Sequence, residues 1–459
     1  MLDKQVAFDV IVEALKTGGD FAEIFLEDRL NHSLTMRSGA VEAVGNVRMH
    51  GAGVRVFSGL RGVYIYTNDT SREGLIACAR RAAAAIHGDT VLSPAMLVEE
   101  KVQNIHEFKL MPSDVKGARK VEKMRAAQSV LKEYPDIKQG DISYSDSEQR
   151  VWIANSDGLF KHDLRVYSRF FVAAVASDGK ENQVGYRAPG ALRGFELFDT
   201  KVDPERCARE AAEEAVEMLK APFCPAGVMP VVIGNGFGGV IFHEACGHSL
   251  EATSVAIGNS EFCGKLGQKI ASDKVTAIDD GTIPNEWGSE NIDDEGTPTN
   301  KLVLIENGIL KNYMIDKLNA RRMGMPITGS ARRESYEYAP TSRMRSTYIA
   351  AGEDDDEEMI ATMGDSLYAA EMGGGSVNPM TGEFNFSVSR GYLVKDGKIA
   401  HPVRGASLIG HGGEILPKID RVGKHVALAQ GMCGSLSGSV PVNVGQPRIR
   451  VSSITVGGR

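Results

Sequence analysis

Apolar residues recur at helical spacing over residues 4–17, where Val6, Val10 and Leu15 stand among polar positions. The pattern then switches to alternation. FAEIFLED (21–28), HSLTMRSG (32–39), VEAVGNVRMH (41–50), GVRVFSG (53–59) and GVYIYT (62–67) each read as a strand, with turn residues between them. REGLIACARRAAAAI (72–86) returns to the helical period and closes the unit. Helix, antiparallel strands and helix in that order predict an α+β domain over residues 1–105 rather than alternating βαβ units.

A linker over 88–114 precedes a charged helix predicted at 115–133, and alternation resumes in DISYSD (141–146) and QRVWIAN (149–155). Ser156-Asp157-Gly158 supplies a turn before the long apolar run LFKHDLRVYSRFFVAAVAS (159–177), and NQVGYR (182–187) follows. A helix over PERCAREAAEEAVEMLK (204–220) ends before Ala221-Pro222, so residues 106–225 form a middle α+β domain. From 226 to 459 strands dominate. Asn307-Gly308 and Asp396-Gly397, each flanked by apolar runs, predict two-residue hairpins. The main helical interruption of this β-rich C-terminal domain is GVIFHEACGHSLEA (239–252). The fold class expected is α+β throughout.

Composition narrows the function classes. The chain has 459 residues, 51 glycines and a net charge of −8, and no Lys/Arg run interleaved with aromatics. Nucleic-acid binding by a basic surface is therefore not expected. The N-terminus lacks a basic segment ahead of an apolar one, and no run approaches the ~18 apolar residues of a membrane span. Six cysteines without regular spacing do not make a disulfide framework. The expected compartment is the cytoplasm. The acidic run EDDDEE (353–358) is expected to open a short helix, where carboxylates meet the positive end of the dipole. A calcium site is the sharper alternative, although a calcium loop spaces its ligands around a glycine turn.

Gly234-x-Gly236-x-x-Gly239 follows an apolar strand and has the written form of a dinucleotide fingerprint. No βαβ continuation follows, and no acidic residue ends a second strand ~20 positions on. The glycines are better explained by a tight turn and close helix packing.

The chemistry concentrates in the same stretch. His243 is followed by Glu244, and the next histidine is His248. Positions five apart on an ideal α-helix diverge by ~140° and do not share a metal ion. A local π-bulge would bring both imidazoles to one face, and Gly247 eases that distortion. With the bulge, the pair can chelate and Glu244 can accept a proton from a water molecule. Without it, the histidines only pack or cap in a core helix. A third ligand must come from elsewhere: Cys433, His401, His411 and Glu251 all compete, while Cys246 is read as a packing residue.

Several long motifs then combine: FHEACGHSLEA, DDEGTPTNKLVLIENGILKNYMIDK, RRESYEYAPTSRMRSTYI (332–349), GGGSVNPMTGEFNFSVSRGYLV, GMCG and the terminal ITVGG. In that order, over essentially the full length, the sequence resembles the TldD branch of the TldD/PmbA metalloproteases, also called modulators of DNA gyrase. The resemblance implies that His243, His248 and Cys433 hold a zinc ion (Zn2+), with Glu244 as general base. It implies a peptidase acting on unfolded or short peptides in an enclosed chamber, formed as a homodimer or as a heterodimer with a paralogue lacking the zinc motif. The alternative is a non-catalytic regulatory subunit that binds a partner protein, which has no need for all four residues. Many members continue Lys-x-Gly-Gln after the metal cysteine, whereas this chain has Ser435-Leu436-Ser437-Gly438. Within 332–349, Arg343 and Tyr348 are read as substrate-binding residues bordering the cleft, against the plainer reading of a solvated edge strand.

Overall fold

The computed structural model describes residues 1–89, 92–378 and 381–458. Thr90 and Val91 of the expected linker, Pro379 and Met380 of the 373–394 motif, and Arg459 lie outside the described residues.

The N-terminal and middle regions contribute to one eight-stranded sheet. Strand β1 (Phe21–Arg37) lies between β2 (Ala40–Ser58) and β3 (Ile137–Asn155) and pairs antiparallel with both. Arg61–Thr67 extends the sheet beyond β2, and β4 (Leu159–Ser177) extends it beyond β3. The five alternating segments expected in the first 67 residues are three strands. The ladder runs without a break through Leu30↔Arg48 and Glu27↔Gly51. Gly51, which reads as a turn residue, is a position of close approach: a side chain there would overlap the Tyr336 ring.

Side-chain parity gives the two faces of this sheet separate tasks. Even positions of β1, among them Ile24, Leu26, Leu34 and Met36, pack beneath helices. Lys4–Ala14 and Arg72–Ala84 cover one end, and Gly117–Leu131 and Pro204–Lys220 the other. Odd positions carry Glu23, Glu27, Arg165 and Arg169 toward the C-terminal region. There Arg55 bridges Glu23 and Glu295, while Arg165 meets Asp294 at 2.8 Å and Arg333 meets Glu23 at 3.1 Å. All of these but the half-buried Arg169 are buried, so the seam is a hydrogen-bonded charge network rather than an apolar one.

The C-terminal region has two larger sheets and a short ribbon. In one sheet, strands from Ser366–Val377, Gly227–Ile233, Ile449–Gly457, Ser407–His411 and Glu383–Lys395 close into a ring, because the first also pairs with the last. The other is six-stranded, and its edge is Ala427–Ser435, paired to Gly438–Gln446. The two hairpins expected from Asn-Gly and Asp-Gly are present, with φ of 46° and 81° at Asn307 and Gly308 and of 47° and 70° at Asp396 and Gly397. Asp355 caps a helix at Asp356–Ala361, accepting from the amides of Glu357 and Glu358, so the acidic run opens a short helix as expected. Among the described residues no helix is long and apolar enough to cross a membrane.

Candidate metal centre

The strand Gly227–Ile233 turns at Gly236, whose φ is +66°, into a single α-helical turn at Val240–Phe242. Gly239 packs directly on the backbone of Gly445, where any side chain would overlap. The glycine triplet thus serves the tight turn and close packing expected of it. Residues His243–Gly247 then form a π-helical turn, in which the His248 amide donates to the His243 carbonyl. This is the bulge that the five-residue spacing requires. Gly247 has an ordinary helical φ of −58°; its role is room, since a Cβ there would overlap the Met344 sulfur.

The widened turn places the imidazoles 5.3 Å apart, centroid to centroid, and nearly perpendicular at 83°. Cys433 approaches from the edge strand Ala427–Ser435. Its Sγ lies 3.3 Å from His243 Nε2 and 3.2 Å from His248 Nε2. One ligand atom from each of the three residues lies within 4.8 Å of the others. A tetrahedral zinc ion with usual bond lengths separates sulfur from nitrogen by about 3.6 Å, so the donor set fits after a shift of a few tenths of an ångström. His401 and His411 do not join it: the first is exposed on Lys398–Val403, and the second lies 3.9 Å from Glu261.

The electrostatics suit a metal ligand. Burial would raise the Cys433 thiol, but His243 and then His248 outweigh it and hold the thiol at about 4. Burial would lower His248, yet Glu251 and Cys433 push it well above the usual imidazole value. The pair is a thiolate beside an imidazolium, which becomes a thiolate and a neutral imidazole when a cation replaces the proton. Glu251, which the sequence offers as a competing ligand, instead holds the far nitrogen of His248 at 3.2 Å. Its place three residues after His248 in a helical stretch was the signal for that role. Glu244 lies with a carboxylate oxygen 3.7 Å from His248 Nε2, and 30% of its side chain is exposed. Cys246 is buried and packs toward the Gly412 carbonyl.

Arg343 does not border a cleft. It is fully buried, donates to the carbonyls of Cys433 and Gly438 and to Ser437 Oγ, and lies 3.8 Å from Glu251. Its acceptors come from the hairpin that carries Cys433, and its hydrogen bonds are spent on holding that hairpin. Ser437 is one of the groups it holds. Tyr348 sits one strand in from Gly438–Gln446, opposite Ile278 and Gly445, with its hydroxyl pushed up to about 12 by burial and by Asp280 and Asp279. It does not line either cavity beside the Cys433 hairpin.

Family models match three stretches of the chain: PmbA/TldA metallopeptidase domain 1 over residues 22–86, the central domain over 111–219 and the C-terminal domain over 226–458. The chain belongs to the PmbA/TldD metallopeptidase family. A metalloprotease TldD homolog of Haemophilus influenzae is 36% identical over 96% of this chain and 93% of its own length. A metalloprotease TldD homolog of Buchnera aphidicola is 32% identical over 100% and 96%. TldE from Thermococcus kodakarensis shares the fold, with a TM-score of 0.77 at 18% identity over 99% of this chain and 100% of that one. A Thermotoga maritima protein described as a modulator of a DNA gyrase superposes equally well, at 22% identity over 95% and 96%. The α+β fold is shared with these two solved structures.

Proposed function

We propose that this member of the family is a zinc-dependent peptidase acting on unfolded or short peptides. The observation that carries the reading is the convergence of His243, His248 and Cys433, through a π-turn, on one point beside Glu244. When bound, zinc supplies Lewis acidity and lowers the pKa of water to about 7. Glu244 is the general base, its part-exposed carboxylate accepting the proton that the attacking water gives up and later returning it to the leaving amine. Glu251 keeps His248 oriented, and Arg343 keeps Cys433 at the site.

The substrate binds as an extended strand along Ala427–Ser435. Asn443, opposite Gln430, sends its amide away to the Arg345 carbonyl. Gln430 therefore turns its own backbone groups outward, as do Leu428, Met432 and Gly434, which share its parity. This open edge lines a cleft of about 1160 Å³. Pairing with a second copy or with a paralogue lacking the metal motif encloses the cleft, and the compartment is the cytoplasm.

The test is zinc content per chain together with cleavage of a fluorogenic unfolded peptide by wild type and Glu244→Gln. Zinc retained at about one per chain with cleavage lost supports the assignment. Unchanged cleavage in Glu244→Gln removes the general base. A partner-binding phenotype that survives the substitution favours a binding subunit instead.

A further inference from the structure

Arg169 and Met432 line both the cleft along the edge strand and a second cavity of about 420 Å³, which separates the Cys433 hairpin from the large sheet. Every other arginine lining these cavities has a carboxylate beside it, as Arg165 has Asp294 at 2.8 Å, Arg332 has Glu290 at 3.1 Å and Arg390 has Glu217 at 2.6 Å. Arg169 forms no ion pair among the described residues. Burial lowers its pKa, and Tyr186 opposes this. The guanidinium carbon sits 5.4 Å from the centre of the Trp287 ring, with Nε donating to the Ala188 carbonyl at 3.3 Å. Nη2 reaches the Gln430 carbonyl only at 3.5 Å, a weak contact with one of the outward groups of the edge strand. Trp287 is itself fixed by its indole N–H, which donates to Gly431 at 2.8 Å. A half-buried cation, oriented on an aromatic face and lacking a counter-charge, is an arrangement that a ligand anion completes.

We propose that Arg169 binds the C-terminal carboxylate of the peptide substrate; this rests on the peptidase reading and adds a direction and a length to it. Gln430 and Cys433 are three positions apart on one strand, about 10 Å. A peptide anchored at Arg169 therefore runs antiparallel to Ala427–Ser435, with its C-terminus toward Gln430. The bond presented to the metal centre lies two to three residues from the chain end, and the product is a short C-terminal fragment. Arg169 is a specificity-determining residue that makes no contact with the reacting atoms.

The experiment uses the full-length chain and an N-terminally fluorescein-labelled octapeptide of Ala, Ser and Tyr, made as the free acid, as the amide, and as the amide with Asp as its last residue. Binding is read by anisotropy on Glu244→Gln, with and without Arg169→Gln or Arg169→Lys, and cleavage by wild type is mapped by mass spectrometry. The expected result is a preference for the acid over the plain amide of about tenfold or more, lost in Arg169→Gln and partly kept in Arg169→Lys. Reading the acid-to-amide ratio makes a general loss of active protein drop out. Tight binding of the Asp-amide that also needs Arg169 assigns the carboxylate to a side chain and overturns the C-terminal rule. Equal binding of acid and amide overturns the carboxylate site while leaving peptidase activity standing if cleavage is seen. A preference for the acid that depends on Arg169, with no cleavage by zinc-loaded wild type, keeps the site and removes the peptidase.

Discussion

Arg343 donates through Nη2 to the main-chain carbonyl of Cys433, the residue whose thiol faces both histidines. The same guanidinium holds Ser437 Oγ at 3.1 Å and the Gly438 carbonyl at 2.8 Å, on the far side of the hairpin turn. Replacing it with Met takes a donor from the carbonyls of Cys433 and Gly438 and from Ser437 Oγ, and removes a cation that lies 3.8 Å from the buried Glu251. The expected cost in urea unfolding is about 3 kcal/mol or more. Zinc per chain falls with it. Lysine does not restore either value, because one ammonium cannot span acceptors set for a planar fork.

Gly247 faces Met344, so Gly247→Ala forces overlap with the Met sulfur or an opening of the π-turn. A loss of about 1–3 kcal/mol in chemical denaturation is expected. The double variant Gly247→Ala, Met344→Ala recovers zinc binding that the single variant loses. If the single variant keeps wild-type stability and zinc, the tight contact has no consequence.

Glu251→Gln keeps the size of the group that orients His248 but removes its charge. Zinc affinity, measured by competition with a chromophoric chelator, is expected to drop about 10–100-fold. Glu251 lies behind the histidine rather than at the metal, so zinc binding weakens without disappearing. Cys433→Ser abolishes binding at the same zinc concentration.

His106 titrates in a window that can be assigned. It is buried, with Nδ1 accepting from the Asn285 amide at 3.0 Å, and burial, helped by Arg165, brings its pKa down to about 4. The unfolded chain takes up the proton near 6.5 and the folded chain only near 4, so acid favours unfolding between those values. Stability is complete above about 6.5 and falls by up to about 3 kcal/mol as the pH drops to 4. His106→Asn, which keeps an acceptor for Asn285, should flatten that slope in urea titrations. An unchanged slope assigns the acid sensitivity to other groups.

The π-turn was legible because geometry left one way for His243 and His248 to share a metal ion. The helix Pro204–Lys220 and the strand Leu159–Ser177 were legible from their periods and turn residues, with the bounds expected. Arg343 was misread. Its sequence neighbourhood is as polar as that of an exposed strand, and its acceptors lie about 90 positions away. Long-range compensation of a buried charge leaves no local pattern. The same holds for Gly51, where the reason for glycine is an aromatic ring from residue 336.

The β1–β3 ladder, from Glu23↔Asn155 to Arg37↔Asp141, joins segments between which lie β2, the strand Arg61–Thr67, a linker and the helices Arg72–Ala84 and Gly117–Leu131. Neither segment can be excised cleanly. A fragment beginning at the middle region would carry β3 with one whole side of hydrogen-bonding groups uncovered and its even-numbered side chains still sticky. Such an edge recruits strands from other molecules, so truncation turns the fragment into a seed for self-association.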